Sequence, residues 1–394
     1  MPPTILLITN SARGEAIADA LARSPQGPTI VACSTVRSPG LVKMCREVHV
    51  MDIMDFQKVC SIAAEVQPSF CFIAPDDPIG GGLADELERM GIPCIAPKAS
   101  LARIESSKGY TRMLMEQYGI NASPKFRVFT TASGSEEEMR TYMQKYLEGN
   151  YVVKYDALKG GKGVKVSGEH LASIDEGVAY AKECIEECGR VVIEEKLIGQ
   201  EFSLLSFVTG TKLAHMPAVQ DHKRAFEGDT GANTGGMGTY SDAHHSLPFL
   251  QDADIAEAKK INEAIAAALK EDCKSDYRGI LYGGFIATKH GVKVIEFNAR
   301  FGDPEVLNIL PLLSSDFVTV CQKMIDGTLS QDDVQFEKKA TVCLYITPKS
   351  YPDAKTEKGQ EVIVPTINDE HIRVYYGDVT QNDEGKILLG GSRS

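Results

Sequence analysis

At 394 residues the chain is too long for one ordinary hydrophobic core, so two to four domains or subdomains are expected. Its 43% hydrophobic and 24% charged content is that of a soluble globular protein, and a net charge of −12 argues against a nucleic-acid-binding surface. The ten cysteines are scattered without a CxxC pair, which suits incidental thiols in a reducing cytosol better than a zinc set. No apolar run is long enough to span a membrane, and the short one at the N-terminus lacks the basic flank of a signal peptide.

Residues 4 to about 100 alternate strand and helix patterns. Strands are expected at 4–8, 29–32, 70–73 and 92–95, and helices at 11–23, 56–66 and 83–90. That spacing predicts a parallel sheet with helices on both faces, whose ligands sit at the carboxyl ends of the strands. Those ends carry Asn10 to Gly14 and Pro75 to Pro78, and thus Arg13 and Asp76; no GxGxxG follows the first strand, so a dinucleotide site is not expected. A helix carrying Lys108 ends near Gly119. A small α+β unit is expected next, with strands at 126–129, 151–155, 164–166 and 191–195 and helices at 136–147 and 175–187. Strands at 202–208, 281–288 and 292–297 read as a larger antiparallel sheet, with a long loop at 217–243 and a helix at 254–269. From Ala340 the pattern is strand and turn.

Four segments carry chemistry. After the strand ending at Lys154 the chain reads KYDALKGGKGVKV, a cationic loop with Lys159, Gly160, Gly161, Lys162 and Gly163, in which glycines let backbone N–H groups approach phosphates. Residues 191–201, VVIEEKLIGQE, end a strand where backbone around Glu194, Glu195 and Leu197 can meet an adenine edge and Glu201 can accept from ribose hydroxyls. Residues 220–240, QDHKRAFEGDTGANTGGMGTY, place Asp221, His222, Lys223 and Arg224 before a glycine run. Asp221 offers an acceptor for an ammonium, the cations offer donors, and Asn233, Thr234, Gly235, Gly236 and Met237 can present amides to an anion.

The fourth segment, VIEFNARFGDPE at 294–305, delivers Glu296 and Asn298 two positions apart on one strand, hence on one face. Carboxylate plus amide oxygen suits Mg²⁺ carrying nucleotide phosphates, and Arg300 can share that face to meet phosphate or carboxylate. A solvated strand end would not align these three groups beside apolar neighbours.

Together with ESSKGYTRMLMEQYGI (105–120) and YRGILYGGF (277–285), these segments resemble the phosphoribosylamine–glycine ligases (glycinamide ribonucleotide synthetases) of the ATP-grasp superfamily, from about residue 70 to 365. The resemblance implies an α/β and α+β chain: a Rossmann-like parallel N-terminal domain (1–103), an ATP-grasp domain (104–121 and 190–328) with its lid (122–189), and a small β-rich C-terminal subdomain (329–394). It implies ATP with Mg²⁺ or Mn²⁺, the metal on Glu296 and Asn298. Lys108, Lys154, Lys162, Gly160 and Gly161 would meet the phosphates, Glu194, Glu195 and Leu197 the adenine, and Glu201 the ribose. Asp221, Lys223 and Arg300 would be catalytic. Arg13, Asp76, Asp221, Lys223, Asn233, Thr234, Gly235, Gly236, Met237 and Pro304 would hold glycine and 5-phosphoribosylamine. A cytoplasmic monomer or weak homodimer is implied, without nucleic acid or membrane partners.

The chain departs from the family pattern in two places. Where the family opens with a glycine pair and Arg-Glu-His-Ala, this chain reads Asn10-Ser11-Ala12-Arg13-Gly14-Glu15-Ala16, keeping Arg13 and Ala16 only. The family pattern also continues beyond the strand near Leu388, so the last subdomain is expected to be incomplete. The altered loop leaves open a different amine acceptor, or a non-catalytic ATP-binding paralogue.

Overall fold

The computed structural model describes residues 2–159, 163–353 and 355–393. The chain opens with β1 (Thr4–Thr9), α1 (Ala12–Ala22), β2 (Thr29–Ser34), α2 (Pro39–Met44), β3 (Glu47–Val50), α3 (Phe56–Val66), β4 (Phe70–Ile73), α4 (Asp76–Gly80), α5 (Leu83–Arg89) and β5 (Cys94–Ile95). The strands form a parallel sheet in the order β3-β2-β1-β4-β5. Alternation along β1 sorts its side chains between two cores: Leu6 and Ile8 pack with Val59 and Leu87 of α3 and α5, while Ile5 and Leu7 pack with Ile17 and Leu21 of α1. The sequence reading passed over α2 and β3. Both are short, and β3 buries none of its residues, so no apolar period marks it. Asp76 begins a short helix instead of lying in a loop.

Next come α6 (Ala99–Ser106), α7 (Lys108–Gln117), β6 (Phe126–Thr130), α8 (Glu136–Thr141), β7 (Tyr151–Tyr155), β8 (Val164–Val166), α9 (Ile174–Cys188) and β9 (Arg190–Glu195). Strands β6, β9, β7 and β8 form an antiparallel sheet in that order, with one face closed by the helices through Phe129, Tyr151, Val153, Tyr180 and Ile193. The helix expected over 136–147 stops at Thr141 and continues as a π-helical turn over Tyr142–Tyr146.

The second half holds β10 (Gln200–Thr209), β11 (Lys212–His215), β12 (Gln220–Phe226), β13 (Thr230–Ser241), α10 (Asp252–Cys273), β14 (Arg278–Thr288), β15 (Gly291–Asn298), α11 (Glu305–Leu312), α12 (Phe317–Ile325), β16 (Thr341–Leu344), β17 (Glu361–Val362), β18 (Val379–Gln381) and β19 (Ile387–Leu389). The larger antiparallel sheet runs β11-β10-β14-β15. One face takes α10 through Ile261, Ile265 and Leu269. The other meets α11, α12 and the N-terminal domain, where Phe301 stacks on Phe72 at 6.3 Å and crosses Phe207 edge-on at 6.1 Å.

The expected loop at 217–243 is instead a hairpin, β12 paired with β13, extended by β16. Its glycines answer to close approach. A Cβ at Gly238 would lie 2.8 Å from the Cys343 carbonyl, and one at Gly236 would lie 2.6 Å from Pro304 Cδ.

Candidate active site

The antiparallel register brings the polar groups together. Glu296 lies opposite Gly284 and Asn298 opposite Tyr282, so the metal-type pair shares a face with Tyr282. Ser203 of β10, paired with Gly284, sits beside them. Hairpin strand β12 adds Asp221 and Lys223, which alternation puts on one face, while His222 points away, exposed and stacked on Tyr240 at 6.1 Å. Glu201, Ser203, Asp221, Lys223, Tyr282 and Glu296 line one small cavity.

Electrostatics there is sharply set. Burial would raise the Glu296 carboxyl, but Lys223, Lys108, Lys154 and Arg300 outweigh it and hold it near 2. Burial would lower the Lys223 ammonium, but Glu201, Glu296 and Asp221 raise it; its nitrogen lies 3.7 Å from Glu201. Asp221 is pushed well up by burial and by the neighbouring Glu305, and its Oδ1 is buried with no hydrogen-bond partner among the described residues. A buried acceptor without a donor is costly unless a ligand supplies one.

The small antiparallel sheet joins through β7 and β9. Glu194 takes Arg112 in a bidentate pair at 2.8 and 3.1 Å and also pairs with Lys154. Arg112 and Lys154 both donate to the Ile295 carbonyl, at 2.7 and 3.1 Å. The Glu194 carboxylate is thus committed to structure, and these cations hold it ionised against the cost of burial. At Glu195 the backbone is arranged differently. Its amide donates to Lys125 O at 2.9 Å, whereas the Lys125 amide turns to the Glu195 carboxylate at 3.1 Å, with half-buried Leu197 two residues on. Half-buried Lys108 opens α7, whose N-cap hydroxyl Ser107 accepts from the Tyr110 amide at 3.1 Å. Asp156 accepts from the Gly109 amide at 3.0 Å. Gly160, Gly161 and Lys162 lie outside the described residues.

Toward the N-terminal domain, Arg300 lies past the end of β15 and pairs with Glu105 at 2.8 Å, and Arg13 donates to Ala74 O at 2.7 Å. The Nε of each is buried with no partner among the described residues. Burial would raise the Asp76 carboxyl, but Arg300 and Arg13 bring it down. Asp303 accepts from Tyr345 at 2.6 Å. Within the hairpin, Thr234 donates to Lys223 O at 2.9 Å and accepts from the Gly236 amide at 3.1 Å, while Asn233 pairs with Arg224. The Met237 carbonyl accepts from the Tyr345 amide at 2.9 Å, Gly235 is exposed, and buried Pro304 abuts Gly236. Arg393 reaches in from the far end of the chain to the Gly236 and Asp303 carbonyls, at 2.8 and 3.2 Å.

Sequence reasoning missed Ser203, Tyr282, Glu305, Glu105, Arg112 and Arg393. Arg112 and Tyr282 left a signal, a polar group inside an apolar periodic run; Arg393 left none. A larger cavity between α7 and the π-helical turn, lined by Met115, Ile120, Lys125, Tyr142 and Tyr146, shares no lining residue with the one that holds Glu296.

Residues 3–105 match the model of the phosphoribosylglycinamide synthetase N domain, and residues 106–306 that of its ATP-grasp (A) domain. A phosphoribosylamine–glycine ligase of Methanosarcina barkeri is 43% identical over 390 residues, covering 99% of this chain and 88% of the relative. One from Methanocaldococcus jannaschii is 41% identical, with 99% and 88% covered. The crystal structure of the phosphoribosylamine–glycine ligase of Thermotoga maritima superposes with a TM-score of 0.79 at 28% identity, covering 98% of this chain and 90% of that one. A biotin carboxylase of Campylobacter jejuni shares the fold alone, with a TM-score of 0.71 at 13% identity over 99% and 88% of the two chains. With matched models spanning residues 3–306 and relatives aligned along nearly its whole length, the chain belongs to the phosphoribosylglycinamide synthetase family.

Proposed function

We infer that the protein ligates glycine to 5-phosphoribosylamine at the expense of ATP, by way of glycyl phosphate, giving glycinamide ribonucleotide, ADP and phosphate. The observation that carries this reading is Glu296, its carboxyl held low, on a cavity that it shares with Lys223 and with an Asp221 whose Oδ1 has no partner among the described residues, with Asn298 two positions along the same face of β15. Two oxygen donors are what Mg²⁺ asks of a protein when phosphates and water complete its shell, and the low carboxyl of Glu296 keeps that donor charged. Glu296 and Asn298 therefore suit Mg²⁺ or Mn²⁺, which when bound would neutralise charge on the transferring phosphoryl group.

The chain's own groups divide the remaining work. The Glu195 carbonyl and Leu197 amide suit the adenine edge, and Glu201 the ribose. Lys108, Lys154 and the loop with Gly160, Gly161 and Lys162 suit the phosphates, with Glu194 acting through Lys154. Lys223 faces the glycine carboxylate and Asp221 its ammonium. Arg300, Arg13, Asp76, Pro304 and the turn from Asn233 through Thr234, Gly235 and Gly236 to Met237 frame the incoming amine. No protein nucleophile is required, because phosphorylation makes the carboxylate electrophilic and the site needs only to position, neutralise and exclude water. All ten cysteines are free, which supports a reducing cytoplasm.

The test is phosphate release with ATP, Mg²⁺ and glycine, with and without freshly made 5-phosphoribosylamine. Amine-dependent turnover is expected. Turnover with other amines but not this one, or none at all, would overturn the assignment.

A further inference from the structure

Three buried groups on the wall of the cavity form a hydrogen-bonded line that the account above leaves unused. Ser203 donates to the Tyr282 hydroxyl at 2.6 Å, and Tyr282 donates to Glu305 Oε1 at 2.8 Å. Ser203, Tyr282 and Glu305 are only 4%, 5% and 3% exposed. Tyr282 lines the cavity with Asp221, Lys223 and Glu296, whereas Glu305 stands behind it in the first turn of α11. Gly302 makes room for that carboxylate, since a Cβ there would lie 2.2 Å from Glu305 Oε2.

We propose that Tyr282 and Glu305 are the proton exit of the ligation step, the hydroxyl touching the attacking amine and the carboxylate receiving the proton through it. This rests on the ligase reading. When the amine nitrogen bonds to the glycyl carbonyl carbon, the carbon–oxygen bond to phosphate breaks and phosphate leaves with the electron pair. The nitrogen must then shed one proton. That proton passes to the Tyr282 oxygen as Tyr282 passes its own to Glu305. The site needs such an acceptor within its walls, because an acyl phosphate survives only where water is excluded. The other carboxylates on the cavity have other work: Glu296 suits the metal, Glu201 the ribose, and the buried Oδ1 of Asp221 the glycine ammonium. The groups facing Glu305 are Tyr282 on β14, Asp221 and Lys223 on β12, Arg300 beyond β15 and Cys343 on β16. Tyr282 already donates to Glu305, so it carries a proton to relay.

Two nucleophiles separate this role from a structural one. Hydroxylamine is weakly basic, so the adduct it forms sheds its proton readily, and it traps glycyl phosphate as the hydroxamate without a positioned base. Tyr282→Phe and Glu305→Gln are each expected to lower ligation of 5-phosphoribosylamine by roughly 10²-fold, the usual range for a lost general base. Hydroxamate formation from ATP, glycine and hydroxylamine is expected to continue in both variants. If the two reactions fall together, or if neither falls, the relay is wrong. If the unaltered protein forms no hydroxamate at all, it is the ligase reading that fails.

Discussion

Glu194 was legible as an acidic residue at a strand end, but its duty was not. Its partner Arg112 lies 82 positions earlier in the chain, on a different element, and no periodicity connects them. Removing one member of a buried ion pair strands the other, at a cost of roughly 3–5 kcal/mol. Arg112→Met should therefore lower the urea midpoint markedly, and an unchanged midpoint would show that Lys154 alone suffices. Glu296 was read correctly as to place, since alternation along a strand needs no tertiary information. Its folded carboxyl sits at about 2 against an ordinary 4.5, so its ionised form stabilises the fold. That stabilisation is complete above 4.5 and is lost as the pH falls toward 2. Glu296→Gln should abolish turnover, leave the protein folded and flatten the fall of the urea midpoint over that window. A variant that turns over like the unaltered protein would remove the metal assignment.

Among the elements, the hairpin β12–β13 is the instructive departure. Its strands alternate, but both faces are largely polar or glycine, so no apolar stripe marked the period and a loop was expected. The glycines of its turn are placed to present amides to an anion, yet each has its own reason. Gly236 has φ +117° and would press a Cβ against Pro304 and within 2.7 Å of Asp221 Oδ1, whereas Gly228, at φ +72°, has open space around it. Gly236→Ala should cost on the order of 1–3 kcal/mol and displace Asp221, with a matching loss of kcat/KM for glycine. Gly228→Asn, which accepts a left-handed backbone, should be nearly neutral in both. Equal effects at the two positions would mean that the hairpin tolerates or resists change as a whole.

At the scale of the molecule, the N-terminal parallel sheet and the larger antiparallel sheet were largely legible, because their apolar strand patterns are local. What joins them was not. Phe72 meets Phe301 and Phe317 across more than half the chain, and Arg393 reaches back to the Gly236 turn and lies over the Tyr345 ring at 4.6 Å. The short segment that carries Arg393 is held by a bond from the Asp378 amide to the Arg393 carbonyl at 2.6 Å. The charge-assisted bonds from the Arg393 guanidinium to the Gly236 and Asp303 carbonyls contribute about 2 kcal/mol each. Arg393→Ala should thus expose residues 355–393 to protease sooner and raise the KM for the amine more than that for ATP. Equal shifts in both would deny Arg393 any place at the amine end.

The shared Ile295 carbonyl has a mechanical meaning. Arg112 of α7 and Lys154 of β7 both grip it, so a helix and a strand of another sheet converge on one oxygen atom of the larger sheet. That oxygen belongs to the residue before Glu296, so a shift of either element would be felt one position from the carboxylate offered to the metal.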